Sequence, residues 1–282
     1  MTGIDEALDK LRASRAGAHA ETPHHVLGRV LPTRGPLGEP THVYGGRQIK
    51  LETVQAGEKL FASERRDKRL EDEFRSIKRP LLANLKTREP IVQRGNVWAI
   101  VSALAGEGKT FVAINLALSI ARERDWTIVL VDGDCGTRNI TKLVGADEEA
   151  GLLDLVMDTS LTFDSVVMPT SIRGLAVLPA GTQNEHAAEL FASVRMDQLC
   201  ESAARADERR IIVFDTPPMF TTEAPALAAH CGQVVVVVRA NKTPQKAVLD
   251  ALERIEPSKA MSLVLNQAES SENAYGAYGA HG

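Results

Sequence analysis

The segment VSALAGEGKT, Val101–Thr110, decides the fold. It joins an apolar run, VWAIVS at 97–102, to the amphipathic stretch TFVAINLALSIARE at 110–123, which is the strand, loop and helix order of a phosphate-binding loop. A turn with few side chains lets successive backbone N–H groups and the following helix N-terminus converge on phosphate oxygens. Lys109 supplies a mobile positive charge and Thr110 a hydroxyl suited to Mg²⁺. Gly106 and Gly108 stand where tight backbone geometry is needed, with Glu107 between them, and Ala103 occupies the place of the motif's first glycine.

Downstream of this loop apolar runs alternate with helical patterns. Strands are expected at 127–132, 175–178, 210–215, 234–239 and 260–265, and helices at 110–123, 151–158, 187–205, 223–229 and 244–256. Strands that read as continuous apolar runs are buried on both faces, so the expected class is α/β, a mostly parallel sheet flanked by helices. Ligands of such sheets lie at the carboxyl ends of the strands. The polar clusters fall there: Gly106–Thr110, Asp132–Asp134, Asp215–Pro218, Arg239 and Asn266.

The acids complete a coherent chemistry. Mg²⁺ prefers carboxylate, hydroxyl, water and phosphate oxygens, which Thr110, Asp132, Asp134 and Asp215 supply. If the second strand runs through DGD, Asp132 and Asp134 point alike; if it stops at Asp132, Asp134 enters the loop on its own. These acids can also orient or deprotonate the group that attacks a γ-phosphate, and the loop does not choose between water and a tyrosine hydroxyl. The segment NQAESSENAYGAYGAHG bears on that choice, because Tyr275 and Tyr278 are two of the three tyrosines in the chain.

The 282 residues hold one α/β domain of about 200 residues with extra segments. A net charge of −4 gives no global support for nucleic-acid binding. Three cysteines without metal-ligand spacing fit a reducing cytoplasm, and no stretch approaches the ~20 apolar residues of a membrane span, so a soluble cytoplasmic protein is expected. Ahead of the domain, 3–14 allows a short helix and 15–58 reads as a largely irregular linker, in which the adjacent His24 and His25 lack the companions of a metal site. Residues 68–86 are helical in pattern, with Leu70, Phe74, Ile77, Leu81 and Leu85 on one face. On that helix Asp72, Arg75 and Lys78 recur at three-residue intervals, either as a solvated flank with intrahelical pairs or as a subunit contact.

EDEFRSIKRPLL (71–82), SALAGEGKT (102–110), LVDGD (130–134), GLAVLPAG (174–181), ELFASVRM (189–196), IIVFDTPP (211–218) and the two tail tyrosines together carry a resemblance. The chain resembles the bacterial tyrosine autokinases of exopolysaccharide synthesis and chain length, within the deviant Walker P-loop ATPases that include chromosome-partitioning and septum-positioning enzymes. It is most similar to the soluble autokinases of exosortase-linked polysaccharide clusters. The resemblance implies a leading interface helix and kinase domain over 68–267, after a segment 1–67 and before a tyrosine-bearing tail 268–282. It implies ATP and Mg²⁺ as cofactors, with Gly106, Glu107, Gly108, Lys109, Thr110, Phe111 and Asn266 around the nucleotide and Lys109, Asp132 and Asp134 as catalytic groups. Thr110, Asp132, Asp134 and Asp215 would serve the metal, Tyr275 and Tyr278 would accept phosphate, and Asp72, Arg75 and Lys78 would form a homo-oligomer contact. A membrane-embedded polysaccharide chain-length or export protein would be the activating partner, recruiting the chain to the inner face of the membrane. Leu104 stands where partitioning ATPases carry a second lysine, which favours the kinase branch. Cys135, Gly136 and Thr137 depart from the basic residues usual after the acidic motif. The alternatives are a positioning ATPase whose nucleotide state switches dimerisation, and a weakly catalytic nucleotide-binding regulator of a polysaccharide transporter.

Overall fold

The computed structural model describes residues 44–51, 68–85 and 92–268. The elements are α1 (Lys68–Ala83), β1 (Val97–Ser102), α2 (Lys109–Ala121), β2 (Thr127–Asp132), α3 (Asn139–Leu143), α4 (Leu152–Met157), α5 (Phe163–Val166), β3 (Met168–Pro169), β4 (Leu175–Leu178), α6 (Ala187–Phe191), α7 (Val194–Ala206), β5 (Arg210–Asp215), α8 (Glu223–Ala229), β6 (Gln233–Arg239), α9 (Gln245–Leu252) and β7 (Ala260–Asn266). Seven strands form one sheet in the order β3-β4-β2-β5-β1-β6-β7. All pairs are parallel except β3 with β4.

Every residue of β1, β4 and β5 is buried, because helices cover both sheet faces and each side chain meets one of two apolar layers. On one face Val97, Ala99 and Val101 pack with α4, α7 and α8; on the other Trp98 and Ile100 pack with α1 and α2. The buried Trp98 indole donates to the Gly95 carbonyl at 2.7 Å, so its one polar atom is satisfied.

Several elements differ from the sequence expectation, each for a non-local reason. Helix α2, expected to be amphipathic, is buried nearly all round at Val112, Ala113, Ile114, Leu116, Ala117 and Ile120, because α1 lies across its outer side. The expected helix 187–205 is broken into α6 and α7, and Ser193 caps the second piece by accepting from the Met196 N–H at 3.2 Å. The short helices α3 and α5 and the antiparallel edge β3 have too few residues to show a period.

Residues 44–51 lie within the span expected to be irregular, yet they strap the β3 edge. Gly46 N–H donates to the Val167 carbonyl and Ile49 N–H to the Pro169 carbonyl, while Ile49 and Leu51 enter the layer beneath α1. Arg47 ties the strap to Glu149 at 2.9 Å and to the Gly145 carbonyl at 3.1 Å. The other expectations for 1–43, including the 3–14 helix and His24 and His25, lie outside the described residues, as do Tyr275 and Tyr278.

Helix α1 docks through more than its apolar face. Gln233, fully buried at the start of β6, donates to the carbonyls of Leu81 and Gly95 and accepts from Asn84. Among the described residues no helix is long and apolar enough to cross a membrane.

Candidate phosphate and metal site

The loop after β1 sits at the carboxyl end of the sheet centre, where strand order turns outward on either side. Gly106 and Gly108 have φ of 77° and 92°, in the region that glycine enters without Cβ strain. A Cβ at Gly108 would collide with the Asn266 amide, so both backbone conformation and space require glycine there. The loop then feeds α2, whose first turn carries Lys109 and Thr110.

Lys109 is buried, and its Nζ donates to Ser102 Oγ at 2.9 Å, while Ser102 Oγ donates to the Leu104 carbonyl at 2.6 Å. Burial lowers the Lys109 pKa, and the charges of Asp215, Asp134 and Glu107 oppose that shift. A phosphate arriving at the loop would add negative charge in the same sense as those acids, so the ammonium is the form suited to binding.

The acids are gathered by register. Asp132 at the end of β2 stands opposite Asp215 at the end of β5. Thr110 Oγ1 donates to Asp215 Oδ2 at 2.6 Å, which joins the phosphate loop to β5. Burial raises the Asp215 pKa to about 8, against the lowering by the Thr110 hydrogen bond, and Asp132 adds like charge. Burial likewise raises the Asp132 pKa, and two donations from Thr141 to Asp132 Oδ2 pull it back: the backbone N–H at 2.8 Å and Oγ1 at 2.7 Å.

Asp132 Oδ1 and Asp215 Oδ1 are both buried with no hydrogen-bond partner. Two orphaned carboxylate oxygens at adjoining strand ends, one of them on the carboxylate that Thr110 bonds, fit a divalent cation or its water shell, which would satisfy both. Among the described residues no three acidic, histidine or cysteine side chains converge as a metal cage. An ion held there would take further ligands from phosphate and water, the habit of Mg²⁺.

Strand β2 ends at Asp132, so Asp134 enters the loop on its own. Its Oδ1 accepts from the Thr137 N–H at 3.1 Å, and its carbonyl accepts from the Arg138 N–H at 2.8 Å. It is less buried than Asp132 and Asp215, and it faces them closely enough that its charge raises both their pKa values.

Other expected residues have internal partners. The Phe111 ring lies 6.1 Å from that of Phe74 at 59°, as part of the α1–α2 contact. Asn266 Nδ2 donates to the Glu107 carbonyl at 2.9 Å, and the Glu107 side chain is turned inward and buried. Asp72 and Arg75 form an exposed pair at 2.5 Å, but Lys78 leaves that row. It is buried, donating to the Ser119 carbonyl at 2.7 Å and pairing with Glu123 at 2.7 Å. All three cysteines are buried and free, and burial pushes Cys200 up to about 12, so these thiols are not poised nucleophiles.

Two positioning residues were not apparent in the sequence. Ser102 lies inside the loop motif but carries no signature of its own, and Thr141 is nine residues beyond Asp132, in a helix too short for a periodic signal.

No protein-family model matches the chain. It is 27% identical over 196 residues to the tyrosine-protein kinase CpsD of Streptococcus agalactiae, covering 67% of this chain and 83% of that protein. Against the tyrosine-protein kinase ptk of Acinetobacter johnsonii it is 27% identical over 185 residues, 64% of this chain, and spans only 25% of that protein's length. Among solved structures it is similar to the VpsO kinase domain, with TM-score 0.59 and 25% identity over 72% of this chain and 98% of that one. The fold is shared with the chimerical protein CapA2B2, at TM-score 0.65 and 24% identity over 81% and 96% of the two chains. It is also shared with the Pyrococcus furiosus cell-division ATPase MinD, at TM-score 0.50 and 21% identity over 60% and 70%. Sheet order and phosphate loop give the chain an α/β fold consistent with a P-loop NTPase of the Walker type, shared with MinD, and its sequence is related to bacterial tyrosine-protein kinases.

Proposed function

We propose that the chain is an ATP-dependent protein-tyrosine autokinase that phosphorylates Tyr275 and Tyr278 in trans within a homo-oligomer and so regulates exopolysaccharide synthesis or export. The observation that carries this is the juxtaposition of Lys109 and Thr110 with the orphaned oxygens of Asp132 and Asp215, in a chain similar to tyrosine-protein kinases. Lys109 and the loop N–H groups hold the β- and γ-phosphates of ATP. Thr110, Asp215 and Asp132, with Asp134 beside them, would hold Mg²⁺, which when bound neutralises charge on the phosphate oxygens. The phenolic oxygen forms a bond to the γ-phosphorus as the bond to the ADP oxygen breaks, and the phenolic proton passes to a carboxylate, a role we give to Asp134, which is less buried than Asp132 and Asp215. Asn266 would lie toward the base.

The described chain ends at Ala268, two residues beyond Asn266, which is bonded to the phosphate loop. In sequence Tyr275 and Tyr278 follow Asn266 by nine and twelve residues. The exposed Asp72–Arg75 pair is offered as the subunit contact, without Lys78. A polysaccharide role rests on 30% identity over 182 residues to the succinoglycan biosynthesis transport protein ExoP of Rhizobium meliloti, of which this chain spans 23%. A membrane-embedded export protein is the corresponding partner, and the soluble, exosortase-linked kind of autokinase is the proposed subgroup. Purified full chain incubated with Mg²⁺ and γ-labelled ATP tests the proposal. Label is expected on tyrosine, lost in the Tyr275→Phe/Tyr278→Phe variant and in Lys109→Ala. Label released only as free phosphate, with the membrane partner's cytoplasmic segment added, would refute it.

A further inference from the structure

Glu107 lies between the two glycines of the loop, where a side chain is expected to face solvent or ligand, yet it is 2% exposed. One carboxylate oxygen, Oε2, accepts from the Leu104 N–H at 2.7 Å, across the loop's own turn. The other, Oε1, accepts from the Thr243 hydroxyl. Thr243 belongs to the connection after β6, and its Oγ1 in turn accepts from the Arg239 N–H at 3.1 Å. On the backbone side the Glu107 carbonyl accepts from Asn266 at the end of β7, whose own carbonyl accepts from the Ala240 N–H at 2.9 Å. Two connections, those after β1 and β6, and the end of β7 thus meet on one residue.

From this geometry we infer that the Glu107 side chain is not a nucleotide ligand and that the residue is a clasp, through which Thr243 and Asn266 hold the phosphate loop in its binding shape before any nucleotide arrives. A loop rich in glycine loses much conformational entropy when it closes on phosphate, and a loop already closed by its own hydrogen bonds does not lose it again on binding. Thr243 and Glu107 are therefore positioning residues, and a substitution at Thr243, in a different connection from the phosphate-binding turn, weakens phosphate binding. The inference rests on nucleotide binding at this loop.

The test is calorimetric titration of the full chain with ADP and Mg²⁺. Thr243→Val removes the hydroxyl at nearly constant volume and is expected to raise Kd about tenfold, the order of one lost hydrogen bond to a buried carboxylate. Thr243→Ser restores the hydroxyl and should bind within about twofold of the parent. Glu107→Ala should weaken binding at least as much as Thr243→Val, and the double variant should bind like Glu107→Ala alone, because both remove one connection. If Thr243→Val disturbs folding, Thr243→Ala read against Thr243→Ser gives the same comparison. Equal affinity of Thr243→Val and parent, failure of serine to rescue, or additive losses in the double variant would overturn the clasp. A parent chain that does not bind ADP with Mg²⁺ would overturn the nucleotide reading and the clasp with it.

Discussion

Replacing Thr141 with valine puts the support of the acidic site to a quantitative test. Thr141 is fully buried, and its Oγ1 makes two contacts: it donates to Asp132 Oδ2 at 2.7 Å and accepts from the Ala180 N–H at 2.9 Å. Valine fills nearly the same volume, so no cavity opens, and the Thr141 backbone N–H to Asp132 is kept. What is lost is one hydrogen bond to a charged acceptor, about 1.5–3 kcal/mol, and the partner of a buried N–H, about 1–3 kcal/mol. Allowing for overlap between the two, a loss of about 3 kcal/mol is expected, which for a domain of this size lowers Tm by roughly 6–12 °C. Thr141→Ser keeps the hydroxyl and should cost about 1 kcal/mol for the methyl. Urea denaturation followed by circular dichroism, without nucleotide, measures both. Should the valine variant prove as stable as the serine variant, Thr141 does not support Asp132 in the way argued.

Gly108→Ala places a Cβ at φ 92° and against the Asn266 amide, so nucleotide affinity should fall at least tenfold, by about 1.4 kcal/mol or more in the same titration; unchanged affinity refutes the steric argument. Lys78→Met keeps the aliphatic stem and strips the Ser119 carbonyl and Glu123 of their partner, which should cost about 1–2 kcal/mol by urea midpoint, mostly from the buried carbonyl contact; a parental midpoint would show the contact is not formed. Arg94 holds both Asp197 and Glu201 below the usual carboxylate range, at 2.7 Å from Asp197 Oδ1 and 2.5 Å from Glu201 Oε2. Because their folded pKa values are depressed, this contribution is complete above the unfolded values near pH 4 and is lost as pH falls through the lower folded values. Arg94→Met should therefore flatten the acid limb of a stability-against-pH curve, and an unchanged limb would exclude the pairing as its source.

Local pattern carried much of the architecture. The runs at 97–102, 127–132, 175–178 and 210–215 become β1, β2, β4 and β5 with those bounds, because a strand buried on both faces must be apolar throughout. The phosphate loop was equally legible, since glycine spacing, lysine and hydroxyl lie within a few consecutive residues, and their chemistry needs that closeness. The strand endings also located Asp132 and Asp215. Sequence alone therefore determined an α/β sheet with a phosphate-binding loop and acids at its carboxyl ends.

Tertiary structure decided how those parts face one another. Only strand order and register set Asp132 beside Asp215, and only the packing of α3 under β2 supplies Thr141 to the first of them. Lys78 looked like one member of an exposed charged row, but α2 brings the Ser119 carbonyl and Glu123 to it, and a buried ammonium stays where its partners are. Glu107 lies in the middle of the loop motif, and its carboxylate is bonded inward by Thr243, more than a hundred residues away. Periodicity and motif spacing record what neighbours along the chain require. These contacts join loops from different strands, and a hydrogen bond between distant residues leaves no local period by which to read it.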